Sequence, residues 1–298
     1  MDNQRPAPGE VDTRRTVSPS GLKTWRRCQR LWWYKYCLGY VTETTEAQAR
    51  GHAVEALIVN YMQGKGLPLE NPLAAVALAA LEYLPAPGSP EARSAVYQDQ
   101  LTLTVVRNDV SGAWVNAPAE EAEAPGVVTY HGASDIRYWG ADDCIWLTDI
   151  KCTSNLGWCM TDDEFVVDPQ RIIYSAALAQ TFNRPVVAQW LYLETYAERG
   201  RPHRSRVIAR VDTREELFAQ MEMLHADGQA IAAVDRAAAQ EQDMPRNLLG
   251  CFAFGTCGMA EDCVVAGGVP AWQRLAGWVR QMMIRDERRK LAAAEGER

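Results

Sequence analysis

The chain has 298 residues, is 47% hydrophobic and carries 31 basic against 38 acidic side chains, a formal net charge of −7. That length holds one large domain or two small ones around a real apolar core, and the acidic balance excludes a protein that coats nucleic acid non-specifically, though not a local basic groove. No charged and then apolar leader opens the chain and no apolar run is long enough to span a bilayer, so a cytoplasmic protein with no membrane partner is expected.

Residues 1–17 are polar, contain Pro6 and Pro8, and read as a disordered leader. Order is expected from Ser18, which can cap a helix whose first residue is Pro19; Leu22, Trp25, Cys28 or Gln29, Trp32 and Tyr36 follow at helical spacing. This helix is strongly aromatic and locally basic, and Arg26, Arg27, Arg30 and Lys35 are its candidate phosphate contacts. A second helix is expected over 46–62 and a third over 72–84, closed by Pro85, Pro87, Gly88 and Pro90. Strand alternation runs through 94–107 and leads across the loop 118–125 to a hairpin at 127–153. A helix over 169–182, strands at 186–195 and 205–211, a long helix over 213–240 and a C-terminal helix within 269–298 complete the chain. No internal repeat and no linker between independent domains is visible.

The hairpin, VVTYHGASDIRYWGADDCIWLTDIKCT, places turn-forming Gly140, Ala141, Asp142 and Asp143 between two apolar, β-branched and aromatic runs. A turn centred near 141 and 142 sets Asp135 opposite or diagonal to Asp149 on one face, with Lys151 two residues on. Two carboxylates and an amine at a strand end suit Mg²⁺ or Mn²⁺, with the Ile150 carbonyl as a further oxygen ligand and Lys151 steadying a water or a phosphate charge. Alone, D-x-K is more often a surface pair at a strand end. Its company matters. Gln170 and Tyr174 share a helix face four residues apart, and His52 and Glu55 share another, either able to complete a metal site.

Eight cysteines in a cytosolic chain point to core thiols and metal ligands rather than disulfides. Cys251, Cys257 and Cys263 cluster in a Gly-containing loop, as thiols of a soft metal centre do. Cys28, Cys37, Cys144, Cys152 and Cys159 are candidate fourth ligands, and spacing does not separate Zn²⁺ from an iron–sulfur cluster.

Taken together, SPSGLKTWRRCQRLWWYKYCLGY, GASDIR, LTDIK and QRIIY resemble the ordered motifs of RecB-like nucleases of the PD-(D/E)xK superfamily that carry a 4Fe-4S cluster, a pattern shared with AddB-type helicase-nucleases, CRISPR adaptation nucleases and phage exonucleases. The resemblance covers residues 18–263. It implies an α/β restriction-endonuclease-like core, a central mixed sheet flanked by helices, within a nuclease domain at 18–268. It also implies an iron–sulfur staple joining the N- and C-terminal segments through Cys28, Cys251, Cys257 and Cys263. Asp135, Asp149, Lys151, Gln170 and Tyr174 become the catalytic set. The implied activity is metal-dependent DNA hydrolysis, with an exonuclease as the expected mode, in a bacterial or phage-infected cell. A helicase, recombinase or annealing protein is the kind of partner implied. Two departures stand out: Gln29 replaces the Pro that usually follows the first Cys, and Glu55 stands four residues after Gly51 where the family has a metal-binding His. The different class of reading is an iron–sulfur DNA-binding or assembly subunit with little or no nuclease activity.

Overall fold

The computed structural model describes residues 16–40, 44–108, 111–118, 121–122, 124–196 and 201–247, with Cys257 and Cys263. The chain forms two compact units: one from residues 1–43 and 225–298, the other from 44–224.

In the first unit, Thr16–Val17, assigned to the leader from sequence, is a short strand (β1). Ser18 caps α1 (Pro19–Arg27) through its hydroxyl and the Gly21 N–H, as the sequence predicts. The single helix expected from Ser18 to Tyr36 is instead two, because Cys28 adopts an extended backbone (φ −168°, ψ 115°) and α2 (Gln29–Tyr36) starts afresh. The break occurs although Gln29, not Pro, follows. Trp25 meets Trp32 edge-on at 5.1 Å, and Trp32 stacks on Tyr36 at 5.5 Å. The later part of the unit ties itself to these helices: the Trp33 indole donates to the Ala239 carbonyl (3.0 Å), and Arg236 lies over Trp32 and reaches the Thr16 carbonyl.

The second unit is a helix-flanked mixed sheet with strand order β3 (Trp114–Asn116), β2 (Val96–Arg107), β4 (Val128–Trp139), β5 (Ile145–Thr153), β6 (Val186–Glu194) and β7 (Ser205–Asp212). Only β5 and β6 run parallel. A parallel neighbour needs a crossover, and α6 (Asp162–Val166) and α7 (Pro169–Phe182) supply it. On one face, Ile136, Tyr138, Leu191 and Leu193 pack with Val54, Leu57, Ile58 and Met62 of α3 (Glu46–Met62) and with α4 (Ala74–Leu78). Alternation sends Trp190 to the other face, where Phe165 meets it at 5.3 Å. Every residue of β6 is buried, as both-sided cover requires.

Two further expected elements are corrected. The helix expected over 72–84 is only α4 plus a 3₁₀ turn at Leu81–Tyr83, and Ser89 and Pro90 start a further short helix, α5 (Pro90–Arg93). The long helix over 213–240 is α8 (Arg214–Gln220), a 3₁₀ turn (Met221–Leu224) and α9 (His225–Ala232), broken where the chain passes from one unit to the other. The expected C-terminal helix lies outside the described residues. Among the described residues no helix is long and apolar enough to cross a membrane.

A fully buried arginine locks the crossover. Arg171 donates to the Phe165 carbonyl (2.8 Å) and the Val166 carbonyl (2.5 Å), to the Asp212 carboxylate and to the Gln220 side chain. Removing Arg171 leaves the buried Asp212 carboxylate to the partly exposed Arg210 and strips the Phe165 and Val166 carbonyls of a donor, so Arg171→Leu is expected to lower unfolding free energy by about 3 kcal/mol. Arg210 bonds the same carboxylate at 2.6 Å but is partly exposed, and Arg210→Ala should cost less than about 1 kcal/mol. Urea unfolding of the two variants checks the ranking, and equal losses would contradict it.

Candidate active site

The β4–β5 hairpin closes at a turn in which Asp143 takes φ +59° and the Gly140 N–H bonds the Cys144 carbonyl at 2.9 Å. Its register runs from Trp139↔Ile145 to Ile136↔Thr148 and then stops. From Asp149 onward β5 keeps only its parallel partner β6, through Thr153↔Glu194, while β4 continues beside β2. The sheet forks here, and at the fork the Asp135 carboxylate accepts the Ile150 N–H at 2.7 Å. A side chain thus replaces the missing backbone partner.

Asp149 is almost fully buried beside the fork. Its two oxygens meet the Gln170 amide and the Lys151 ammonium, each at 2.5 Å, and Lys151 in turn donates to Gln170 at 3.2 Å. The result is a closed triangle whose amide is oriented by its chemistry: NH₂ toward the carboxylate, oxygen toward the ammonium. Gln170 is delivered by the first turn of α7, whose start is set by Asp168 at the cap position and Pro169. Burial works against the Lys151 charge, but Asp149, Asp135 and Asp168 outweigh it and hold its pKa above the ordinary lysine value.

One turn further along α7, Tyr174 is buried and its hydroxyl bonds the backbone at Ala133; burial pushes it up to about 12. Gly132 explains the glycine of the G-x-x-D motif. A Cβ there would lie inside van der Waals contact with the Tyr174 ring and hydroxyl. Gly51 is not required in the same way, since a Cβ there would meet Cys152 of β5 at 3.5 Å, an ordinary packing contact.

Glu55 on α3 is 18% exposed and accepts from the Gln98 amide, and its charge is felt at Asp135. His52 points outward, 75% exposed, with its ring 3.9 Å from Glu55. Of the two α3 candidates, then, the carboxylate is the one brought to Asp135. Burial first, then the charges of Asp149 and Glu55, push the Asp135 carboxyl up to about 8, against the Ile150 N–H and Lys151.

Three contributors were missed in the sequence. Gln98 sits across β2 from Asp135, between the pairs Tyr97↔Ile136 and Asp99↔Ser134, with φ +51°. Nothing in a Gln within an alternating strand signals this. Asp168, buried, accepts from the Trp190 indole at 3.2 Å, and Arg171 fixes the turn before Gln170. An Asp-Pro pair opening a helix was the available signal for Asp168.

The other candidates lie in the first unit. Arg26 is ion-paired with Asp227 at 2.6 Å, Arg30 donates to the Met244 carbonyl at 3.0 Å, and Arg27 and Lys35 are half-buried. Cys28 and Cys263 are buried and close enough to interact, with Arg30 and Arg246 beside Cys263, and the Asn247 N–H faces the Cys28 sulfur at 3.5 Å. Cys257 is half-buried, and Cys251 lies outside the described residues. Among the described residues no three His, Cys, Asp or Glu side chains converge closely enough to hold a metal ion.

The fork thus gathers two aspartates and a lysine at one end of a mixed sheet. The model of the PD-(D/E)XK nuclease superfamily matches residues 16–263, and the chain belongs to that superfamily. Its members generally use Mg²⁺ or Mn²⁺. No curated protein matches the chain. Among solved structures, a protein named "Putative exonuclease" from Eubacterium rectale is similar at 12% identity, over 86% of this chain and 89% of that one, with a TM-score of 0.45.

The Asp135 environment has a pH consequence. A carboxyl held above its ordinary 3.8 in the folded state contributes stability that is complete below that value and lost as pH rises to about 8. Metal-free protein should therefore melt progressively lower between about pH 5 and pH 8, and Asp135→Asn should melt above wild type at the upper end. Superimposable melting profiles for the two proteins would refute the shift.

Proposed function

We propose that the chain is a divalent-metal-dependent deoxyribonuclease that trims DNA ends, an exonuclease serving recombination, repair or phage replication in a bacterial or phage-infected cytoplasm. The observation that carries this reading is the closed Asp149–Lys151–Gln170 triangle beside Asp135 at the fork. Asp135, Asp149 and Glu55 are hard oxygen donors, and the mutual repulsion that raises Asp135 is what a cation would relieve. The donor chemistry fits Mg²⁺ or Mn²⁺, with the Ile150 carbonyl as a further ligand. When bound, such an ion neutralises phosphate charge and lowers the pKa of a water.

The chain's own residues divide the remaining work. Lys151, kept protonated by its carboxylate neighbours, is a cation for the phosphate under attack rather than a proton acceptor. Gln170 ties that ammonium to Asp149, so the charge is positioned before substrate arrives. Tyr174 packs under the Gly132 segment and sets the strand that carries Asp135. Hydrolysis then breaks one P–O bond, water adding its oxygen to phosphorus while the leaving oxygen takes a proton.

Arg26, Arg27, Arg30 and Lys35 keep a lesser role in this reading. Arg26 is ion-paired with Asp227 and Arg30 bonds the Met244 carbonyl, so phosphate contact by either would have to compete with a partner within its own unit. A 4Fe-4S cluster on Cys28, Cys251, Cys257 and Cys263 is supported by the nearness of the buried Cys28 and Cys263. A helicase or recombinase partner fits an end-processing enzyme.

End-labelled DNA incubated with Mg²⁺, Mn²⁺ or chelator tests the activity. Asp149→Asn and Lys151→Ala should each lower the cutting rate by about 10³-fold with the fold intact. DNA binding with no cutting by wild type would favour the binding-only subunit, and wild-type rates in both variants would place the chemistry elsewhere. Anaerobically purified protein should be brown, and Cys257→Ser should bleach it while Cys144→Ser does not. Full colour and iron in Cys257→Ser would overturn the ligand set.

A further inference from the structure

The second unit holds a groove of about 730 Å³ that none of the site residues lines. It lies on the α3–α4 face of the sheet, between the Glu82–Ala86 segment, the β4–β5 turn and strands β6 and β7. One wall is aromatic: Tyr138 and Trp146 stack with ring centroids 5.9 Å apart and planes 13° from parallel. Gly140 keeps that wall open, because a Cβ there would collide with the Trp146 indole. The rim is acidic, with Glu82, Glu91 and Asp142, and no lysine or arginine lines the groove among the described residues.

At the base of the groove sits Gln189, 2% exposed. Its NH₂ faces the Tyr83 carbonyl at 3.4 Å, and since a carbonyl can only be met by the donor end, the amide orientation is fixed. Its oxygen is then a buried acceptor, and it has no hydrogen-bond partner among the described residues. Buried polar atoms are almost always satisfied, so an orphaned acceptor lining a groove points to a ligand that brings a donor.

We propose that this groove receives the guanidinium of an arginine side chain presented by a partner protein. A planar cation with five N–H donors can lie against the Tyr138–Trp146 wall, meet the acidic rim and donate to the Gln189 oxygen. Lysine lacks the planar face. Nucleic acid is disfavoured, because three carboxylates and no base would repel its phosphates. Strand alternation puts Trp146 and Gln189, which line the groove, on the face of the sheet opposite Asp149 and Lys151. A bound partner segment would therefore leave the fork open, which suits a protein that brings the enzyme to its substrate. The proposal stands on the groove alone and is independent of the fork's chemistry.

The full chain, ¹⁵N-labelled at tryptophan indole, is titrated at low salt with blocked Gly-Arg-Gly peptide, with the same peptide carrying citrulline, and with an oligothymidylate. Trp146→Phe identifies the indole resonance. The expected result is a saturable shift of the Trp146 indole with the arginine peptide. Binding should be about tenfold weaker with citrulline and about tenfold weaker in Glu82→Gln/Glu91→Gln, whose rim substitutions leave the far-UV spectrum unchanged. No shift, equal shifts with arginine and citrulline, undiminished binding by the double variant, or a shift with the oligonucleotide alone would each overturn the proposal.

Discussion

The site depends on where one ladder of backbone hydrogen bonds ends. Antiparallel strands normally satisfy each other's amides to the end of the shorter strand, yet β4 and β5 separate after Ile136↔Thr148 while β5 still has five residues to run. Separation leaves donors and acceptors in need of partners. Asp135 answers for one of them by accepting the Ile150 N–H, and this single bond brings a carboxylate to the mouth of the fork beside Asp149. The parallel strand β6, with α7 as its crossover, holds β5 in place on the other side. The fork is therefore a property of the topology as much as of the acidic residues.

Like charges gathered at one point have to be held there. Asp135 and Glu55 repel through partly buried surroundings, and the fold compensates with donors: Gln98 on Glu55, the Ile150 amide on Asp135, and Gln170 and Lys151 on Asp149. Gln98 takes the left-handed backbone region near the start of β2, a conformation that costs free energy and that strands seldom contain.

Much of this was legible beforehand because the signals were local. Alternation and turn residues located the hairpin and its register, helical spacing put Gln170 and Tyr174 on one face, and Ser18–Pro19 announced a helix start. What remained hidden was non-local or energetically neutral in sequence. The break at Cys28 follows from an extended backbone at one residue, with no glycine or proline to mark it. The helix expected over 213–240 has good periodicity, but its halves belong to different units, and tertiary packing overrode the pattern. Gln98 and Arg171 act through residues more than forty positions away, which spacing along the chain does not reveal.

The contact between Gly132 and Tyr174 joins two motifs that look separate in the chain. One belongs to the strand bearing Asp135 and the other to the helix bearing Gln170, and they interlock because the ring occupies the space a side chain at 132 would fill. The two positions therefore cannot drift independently in evolution. A methyl gained at 132 forces the Tyr174 ring to move or to be replaced, and either change disturbs the hydroxyl's hold on the Ala133 backbone.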